Sequence, residues 1–254
     1  MPAGWRSRSA PGPGARFEAE PTVSAYLRKR GRLTRGQARA LERFGPELIV
    51  PLDDGAPLDL AALFGRSAPV GLEIGFGSGQ ALLDWAEAAP DWNLLGIEVY
   101  EPGIGSLLKG IAERQLDNIR VISEDAAEVL ASDIAPGALQ EVRVFFPDPW
   151  PKKRHHKRRL INPPFAALLA DRLSPQGHVR LATDWQDYAE QMLAVLNAES
   201  GLVNEADEGF APRFEGRNVT RFEARGQRLG HPVWDLCYRR ADRAADGPIT
   251  DTPE

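Results

Sequence analysis

The stretch "LEIGFGSGQ", residues 72–80, sets the fold class. It places Gly75, Gly77 and Gly79 directly after a short apolar run, "VGLEI" (70–74). Glycine lets a backbone turn tightly and approach a ligand closely, and such a turn between a strand and a helix is where open α/β sheets bind small molecules. The motif alone is unspecific, because the third glycine of G-x-G-x-x-G would fall at Gln80. Its surroundings supply the context. "QALLDWAEAAP" (80–90) reads as a helix and "NLLGIEV" (93–99) as a second strand, and residues 103–115 read as helical. "NIRVIS" (118–123), "EVRVFF" (141–146) and "GHVRLAT" (177–183) are further strands. Between and after them lie the helices "DAAEVLAS" (125–132), "PPFAALLADRL" (163–173) and "WQDYAEQMLAVLNAE" (185–199), and "VWDLCYRR" (233–240) is a late strand. Strands alternating with helices predict an α/β fold: a doubly wound, mostly parallel, Rossmann-like sheet with helices on both faces.

Bulk properties narrow the classes. A chain of 254 residues with 43% hydrophobic content supports one large domain. We divide it into a disordered, basic N-terminal extension (1–45), the α/β domain (46–240) and a disordered tail (241–254). The net charge of −5 means that a nucleic-acid footprint must be a local patch. The single cysteine, Cys237, excludes an intramolecular disulfide and a multi-cysteine zinc site. No apolar run reaches the roughly 18 residues of a membrane span. The N-terminus lacks the apolar segment of a secretory signal, so the expected location is cytoplasmic.

Acids gather at the carboxyl ends of the strands. Glu73 lies in the first strand, Glu98 ends the second, and Asp125 follows the third. Glu98 stands 23 residues after Gly75, where an acid can bind ribose hydroxyls, and Asp125 can read an adenine edge. Each has a plainer reading: Asp125 as a helix N-cap, Glu98 as a turn residue. Two ligands fit the set, a nicotinamide dinucleotide or S-adenosylmethionine. An acid-rich rim suits a sulfonium cation better than a pyrophosphate.

The fourth strand runs into "FFPDPWPKKRHHKRR" (145–159). Prolines stiffen the loop around Asp148 and Trp150. Six cations then follow within eight residues: Lys152, Lys153, Arg154, Lys157, Arg158 and Arg159. Such a run can grip phosphates. His155 and His156 lack carboxylate or cysteine partners at ligand spacing, so no metal site is expected. Trp150 and Trp185 are candidates to receive an extruded base, although Trp185 reads more readily as a core residue.

Together with "GRLTRGQ" (31–37), "GIEVYEPGIG" (96–105), "ATDWQDYAEQML" (182–193) and "VTRFEARGQRLGHPVWDL" (219–236), these segments resemble the bacterial tRNA (guanine-N7-)-methyltransferases. The resemblance spans most of residues 31–240. It implies the seven-stranded methyltransferase form of the sheet, S-adenosylmethionine as cofactor and tRNA as partner. The implied activity is methyl transfer to N7 of the variable-loop guanosine. It assigns Glu73, Glu98, Asp125 and Asp148 to the cofactor site, beside Gly75 and Gly77 of the glycine turn, with Asp148 catalytic. Lys152, Asp184, Thr220, Arg221, Phe222 and Glu223 would contact substrate, and Arg154, His155, His156, Lys157, Arg158 and Arg159 the RNA. Many relatives read R-P-x-T-K-F-E where this chain has "RNVTRFE", so Asn218 and Arg221 depart from the pattern. The rival readings are a nicotinamide-dependent oxidoreductase and a non-catalytic tRNA-binding protein with a vestigial pocket.

Overall fold

A computed structural model of the chain describes residues 31–52, 56–207, 209–217 and 232–242. The order of elements is α1 (Arg35–Leu48), α2 (Leu60–Phe64), β1 (Val70–Ile74), α3 (Gln80–Ala88), β2 (Asn93–Ile97), α4 (Glu101–Arg114), β3 (Ile119–Ile122), α5 (Ala126–Ser132) and β4 (Leu139–Phe145). A 3₁₀ turn (Lys153–Arg158) follows, then α6 (Pro163–Arg172), β5 (Leu173–Thr183), α7 (Gln186–Asn197), β6 (Leu202–Asn204) and β7 (Trp234–Arg240).

The seven strands form one sheet in the order β3-β2-β1-β4-β5-β7-β6. The first five pair in parallel, and β7 runs antiparallel to both β5 and β6. β1 and β2 are buried along their whole length, as expected of strands covered on both faces. The chain winds outward from β1 to β3, then returns to place β4 on the other side of β1. The carboxyl ends of β1 and β4 therefore flank the switch point, where doubly wound sheets open a crevice.

Local chemistry fixes the helix ends. Thr34 caps α1 in a reciprocal box with Gln37, whose amide also donates to the Pro102 carbonyl and Ser106 Oγ of α4. The "TRGQ" motif thus starts a helix and docks it. α1 runs through residue 45, the boundary drawn from composition, and lies against α4. Asn162 caps α6, which opens on Pro163 and Pro164. α2 and β6 carried no clear signal in the sequence. β5 begins four residues earlier than "GHVRLAT", because Leu173 pairs with Leu139 ahead of a register shift.

A candidate cofactor cavity and nucleic-acid face

A cavity of about 420 Å³ lies at the switch point, within the roughly 300–1,000 Å³ usual for small-molecule sites. Its lining comes from four strand ends: Ile74 and Gly75 of β1, Ile97 to Tyr100 of β2, Glu124 and Ala126 after β3, and Val144 to Asp148 of β4. Leu160 completes it. Gly75 and Gly77 adopt left-handed φ of 70° and 56°, and a Cβ added to either would point into open space. The glycine turn therefore presents bare backbone to the cavity.

Glu98 organises that turn. One of its oxygens accepts from Gly77 N at 2.9 Å, and the other from Val99 N at 2.8 Å and Tyr100 N at 3.0 Å. The turn role and the cavity role coincide, since a carboxylate retains lone pairs for a hydroxyl donor. Asp125 is the N-cap of α5, accepting from Ala127 N and Glu128 N, and it is absent from the lining. The neighbouring Glu124 is in the lining. The signal was present in "SED", where either acid follows the strand.

Glu73 lies beneath the cavity, not on its wall. It is 3% exposed, stands in register with Arg143 of β4, and has Oε2 buried without a hydrogen-bond partner. Burial pushes its carboxyl up to about 7, with Asp84 and Glu98 adding to the rise and Arg143 opposing it. Arg143 is itself committed: its Nε donates to Glu141 at 2.6 Å, and its guanidinium sits over the Trp85 ring at 3.5 Å.

The loop after β4 takes a strained shape. Phe146 and Trp150, neither a glycine, have φ of 52° and 46°, a conformation costing about 1–2 kcal/mol per residue. Phe146 N donates to the Ala182 carbonyl of β5 at 2.7 Å. Asp148 is solvent-exposed on the cavity rim. Lys152 leads from this loop into the 3₁₀ turn, which displays Lys153, Arg154, Lys157 and part of Arg158. Desolvation, and then Arg158, Arg154 and Lys152, push the His155 imidazole down, which favours its neutral form. Arg158 lies 5.0 Å over the Trp150 ring.

Two sequence expectations are corrected here. Arg159 is 2% exposed and hydrogen-bonded inside the protein, so it is not part of the exposed basic face. Trp185 is 39% exposed and no core residue. It lines a groove with Asp184, Asp187, Glu190 and Trp234, beside the end of β5. The sequence reading missed Trp234 as a groove residue. Thr220, Arg221, Phe222 and Glu223 lie outside the described residues.

Among the described residues the cavity lining holds Glu98, Glu124 and Asp148 but no lysine or arginine. A pyrophosphate would meet only negative charge there, whereas a sulfonium cation with an adenine ring suits apolar walls and an acidic rim. Among the described residues no cluster of His, Cys, Asp and Glu could hold a metal ion. Fold and site thus define a class I methyltransferase that uses S-adenosylmethionine. A family model described as "Putative methyltransferase" matches residues 67–236. A tRNA (guanine-N(7)-)-methyltransferase of Thiobacillus denitrificans is 53% identical over 222 residues, covering 87% of this chain and 97% of the relative. Another, from an Acidovorax strain, is 56% identical over 220 residues and covers 86% of each chain. The chain belongs to the tRNA (guanine-N7-)-methyltransferase family. Among solved structures, the 16S rRNA methyltransferase KamB shares the fold with a TM-score of 0.53 at 16% identity, covering 77% of this chain and 99% of that one.

Proposed function

We propose that the protein methylates N7 of a guanosine in the variable loop of tRNA, using S-adenosylmethionine. The observation that carries this reading is the position of Asp148. It stands exposed on a stiff loop, with the acidic cavity on one side and the basic 3₁₀ turn on the other.

When bound, the cofactor supplies an electrophilic methyl group on sulfur. Glu98 and Glu124 would hold its polar groups, and Ile74, Ile97, Val144 and Phe145 its apolar ring. Guanine N7 is an exposed lone pair on the base edge and carries no proton. No base need first remove one, so the chain's task is positioning. Positive charge develops on the guanine as N7 is alkylated, and the Asp148 carboxylate can offset it or orient the base edge. The base must leave the RNA stack to reach the cavity, and aromatic faces commonly receive such a base. Trp150, two residues after Asp148, and Trp185, in the groove beside the end of β5, are the candidates for this. Asp184, in the groove beside β5, can accept from the guanine N1–H and amino group. Lys152, Lys153, Arg154, Lys157 and Arg158 would grip phosphates, giving affinity and register. A tRNA substrate would place the enzyme in the cytoplasm.

The test is to incubate the protein with unmodified tRNA and labelled S-adenosylmethionine, then map the product by cleavage at N7-methylguanosine. One cleavage in the variable loop is expected. Labelled tRNA without that cleavage would move the target atom. No label on tRNA that still binds would favour a binding protein.

A further inference from the structure

Arg159 closes the basic run in the sequence but turns inward in the fold. Its Nε donates to the Pro149 carbonyl at 2.8 Å. Its Nη1 donates to Gln191 Oε1, and its Nη2 to Asp187 Oδ2, each at 2.5 Å. The guanidinium plane lies 4.8 Å over the Tyr188 ring. All three α7 partners are themselves tied to the chain around Arg159 or to Arg159 itself. Tyr188 Oη accepts from Ile161 N at 3.1 Å, Gln191 Nε2 donates to the Ile161 carbonyl at 3.2 Å, and the Arg159 hydrogen bond holds the Asp187 carboxyl below its usual range.

We propose that Arg159 is a positioning residue, a buried fork that pins the Asp148 loop to α7, and not a ligand of RNA. The Pro149 carbonyl lies in the Pro149–Trp150 peptide, so the bond anchors the loop one residue after the rim carboxylate and just ahead of the left-handed Trp150. The loop needs an external hold, because the left-handed Phe146 and Trp150 persist only where surroundings over-determine them. Prolines at 147, 149 and 151 give the loop few backbone donors of its own. A planar guanidinium with several fixed donors can serve the Pro149 carbonyl, Gln191 and Asp187 at once; a lysine ammonium cannot reproduce that geometry. The cation that a charge count assigns to RNA binding is thus spent on the active-site loop.

The inference rests on the methyl-transfer reading, so the experiment includes arms that do not depend on turnover. Arg159→Lys, Arg159→Met and Gln191→Leu are compared with the wild type. We measure methyl-transfer kcat and KM for tRNA, cofactor-free tRNA affinity against salt, and amide exchange of residues 146–150. Prolines carry no amide, so that exchange signal comes from Phe146, Asp148 and Trp150 alone. The expected result for Arg159→Lys is a fall in kcat of at least about tenfold, with KM within about threefold. tRNA affinity and its salt slope should not change, and exchange at 146–150 should accelerate. Gln191→Leu should move the same way to a smaller degree, which keeps the test open if Arg159→Met does not fold. Two results overturn the proposal. One is a salt slope lowered by about 1 in Arg159→Met with loop exchange unchanged, the mark of a phosphate contact. The other is full activity of Arg159→Lys and Gln191→Leu. A wild type that transfers no methyl to tRNA would defeat the methyltransferase reading, and the exchange and salt arms would still judge Arg159.

Discussion

Replacing Glu73 by glutamine should make the cofactor-free protein more stable at alkaline pH and leave it nearly unchanged in acid. Glu73 is buried, one of its oxygens has no partner, and burial lifts its carboxyl from 4.5 to about 7. In the unfolded chain it loses its proton near 4.5. Between those two values the folded state binds more protons than the unfolded one, so stability falls as pH rises. The contribution is fully present below pH 4.5 and lost as pH passes 7. The span from 4.5 to about 7, at roughly 1.4 kcal/mol per tenfold change in proton affinity, corresponds to about 3 kcal/mol. Glutamine is neutral throughout and carries no such slope. At about 2–4 °C per kcal/mol for a domain of this size, Glu73→Gln should melt roughly 6–12 °C above wild type at pH 8 and within a few degrees of it at pH 5. Thermal melts of both proteins from pH 5 to pH 8, without cofactor, measure this directly. Parallel curves for the two proteins would refute the reasoning. They would mean that Arg143, its neighbour in register, already holds Glu73 ionised in the fold.

Three further substitutions probe the site. Asp148→Asn should cut methyl transfer by about 100- to 1,000-fold if the carboxylate meets developing charge, with tRNA binding within threefold; transfer within fivefold of wild type would remove Asp148 from that role. Lys157→Ala should lower the salt slope of tRNA binding by about 1 without changing which tRNAs bind, and an unaltered slope would take Lys157 off the RNA. Gly103→Ala would put a Cβ 2.2 Å from the Gly77 carbonyl. The glycine turn would have to shift, so S-adenosylhomocysteine affinity should drop by more than tenfold, as calorimetry can show, and wild-type affinity would mean that the turn yields freely.

Much of the architecture was legible because it depends on local periodicity. β1, β2 and β3 match apolar runs bounded by turn residues, and buried parallel strands must read that way. The late "VWDLCYRR" strand was visible for the same reason, but its antiparallel place between β5 and β6 is a property of the sheet, not of the segment. The place of the cavity, at the strand ends beside the glycine turn, was legible too. The strand ends mark where acids could gather, but Glu124 and Asp125 are adjacent, and the one that caps α5 through Oδ1 is turned toward the helix start while its neighbour reaches the wall. Which of the two faces the ligand depends on where α5 begins, and a sequence marks that boundary least sharply.

Arg159 and Trp185 show the deeper limit. A cation at the end of a basic run reads as solvated, and an indole heading an amphipathic helix reads as core, because both inferences weigh neighbours in the chain. The structure inverts both. The partners that bury Arg159 are Asp187, Tyr188 and Gln191, 28 to 32 residues away along α7. Their own sequence context is an ordinary amphipathic helix opening with a tryptophan. α7 turns Tyr188 and Met192 toward the core, and Asp187 and Gln191 flank that stripe. Trp185 precedes the first turn of the helix, so it falls outside the stripe and onto the rim. The phase of α7 supplies the carboxylate and amide that draw Arg159 inward, and the extended backbone at its N-cap leaves the indole exposed beside Asp184. Shifting the start of α7 by one residue would turn Asp187 and Gln191 away from Arg159 and undo the cap that exposes Trp185, so a variant that disturbs that start should affect loop and groove together.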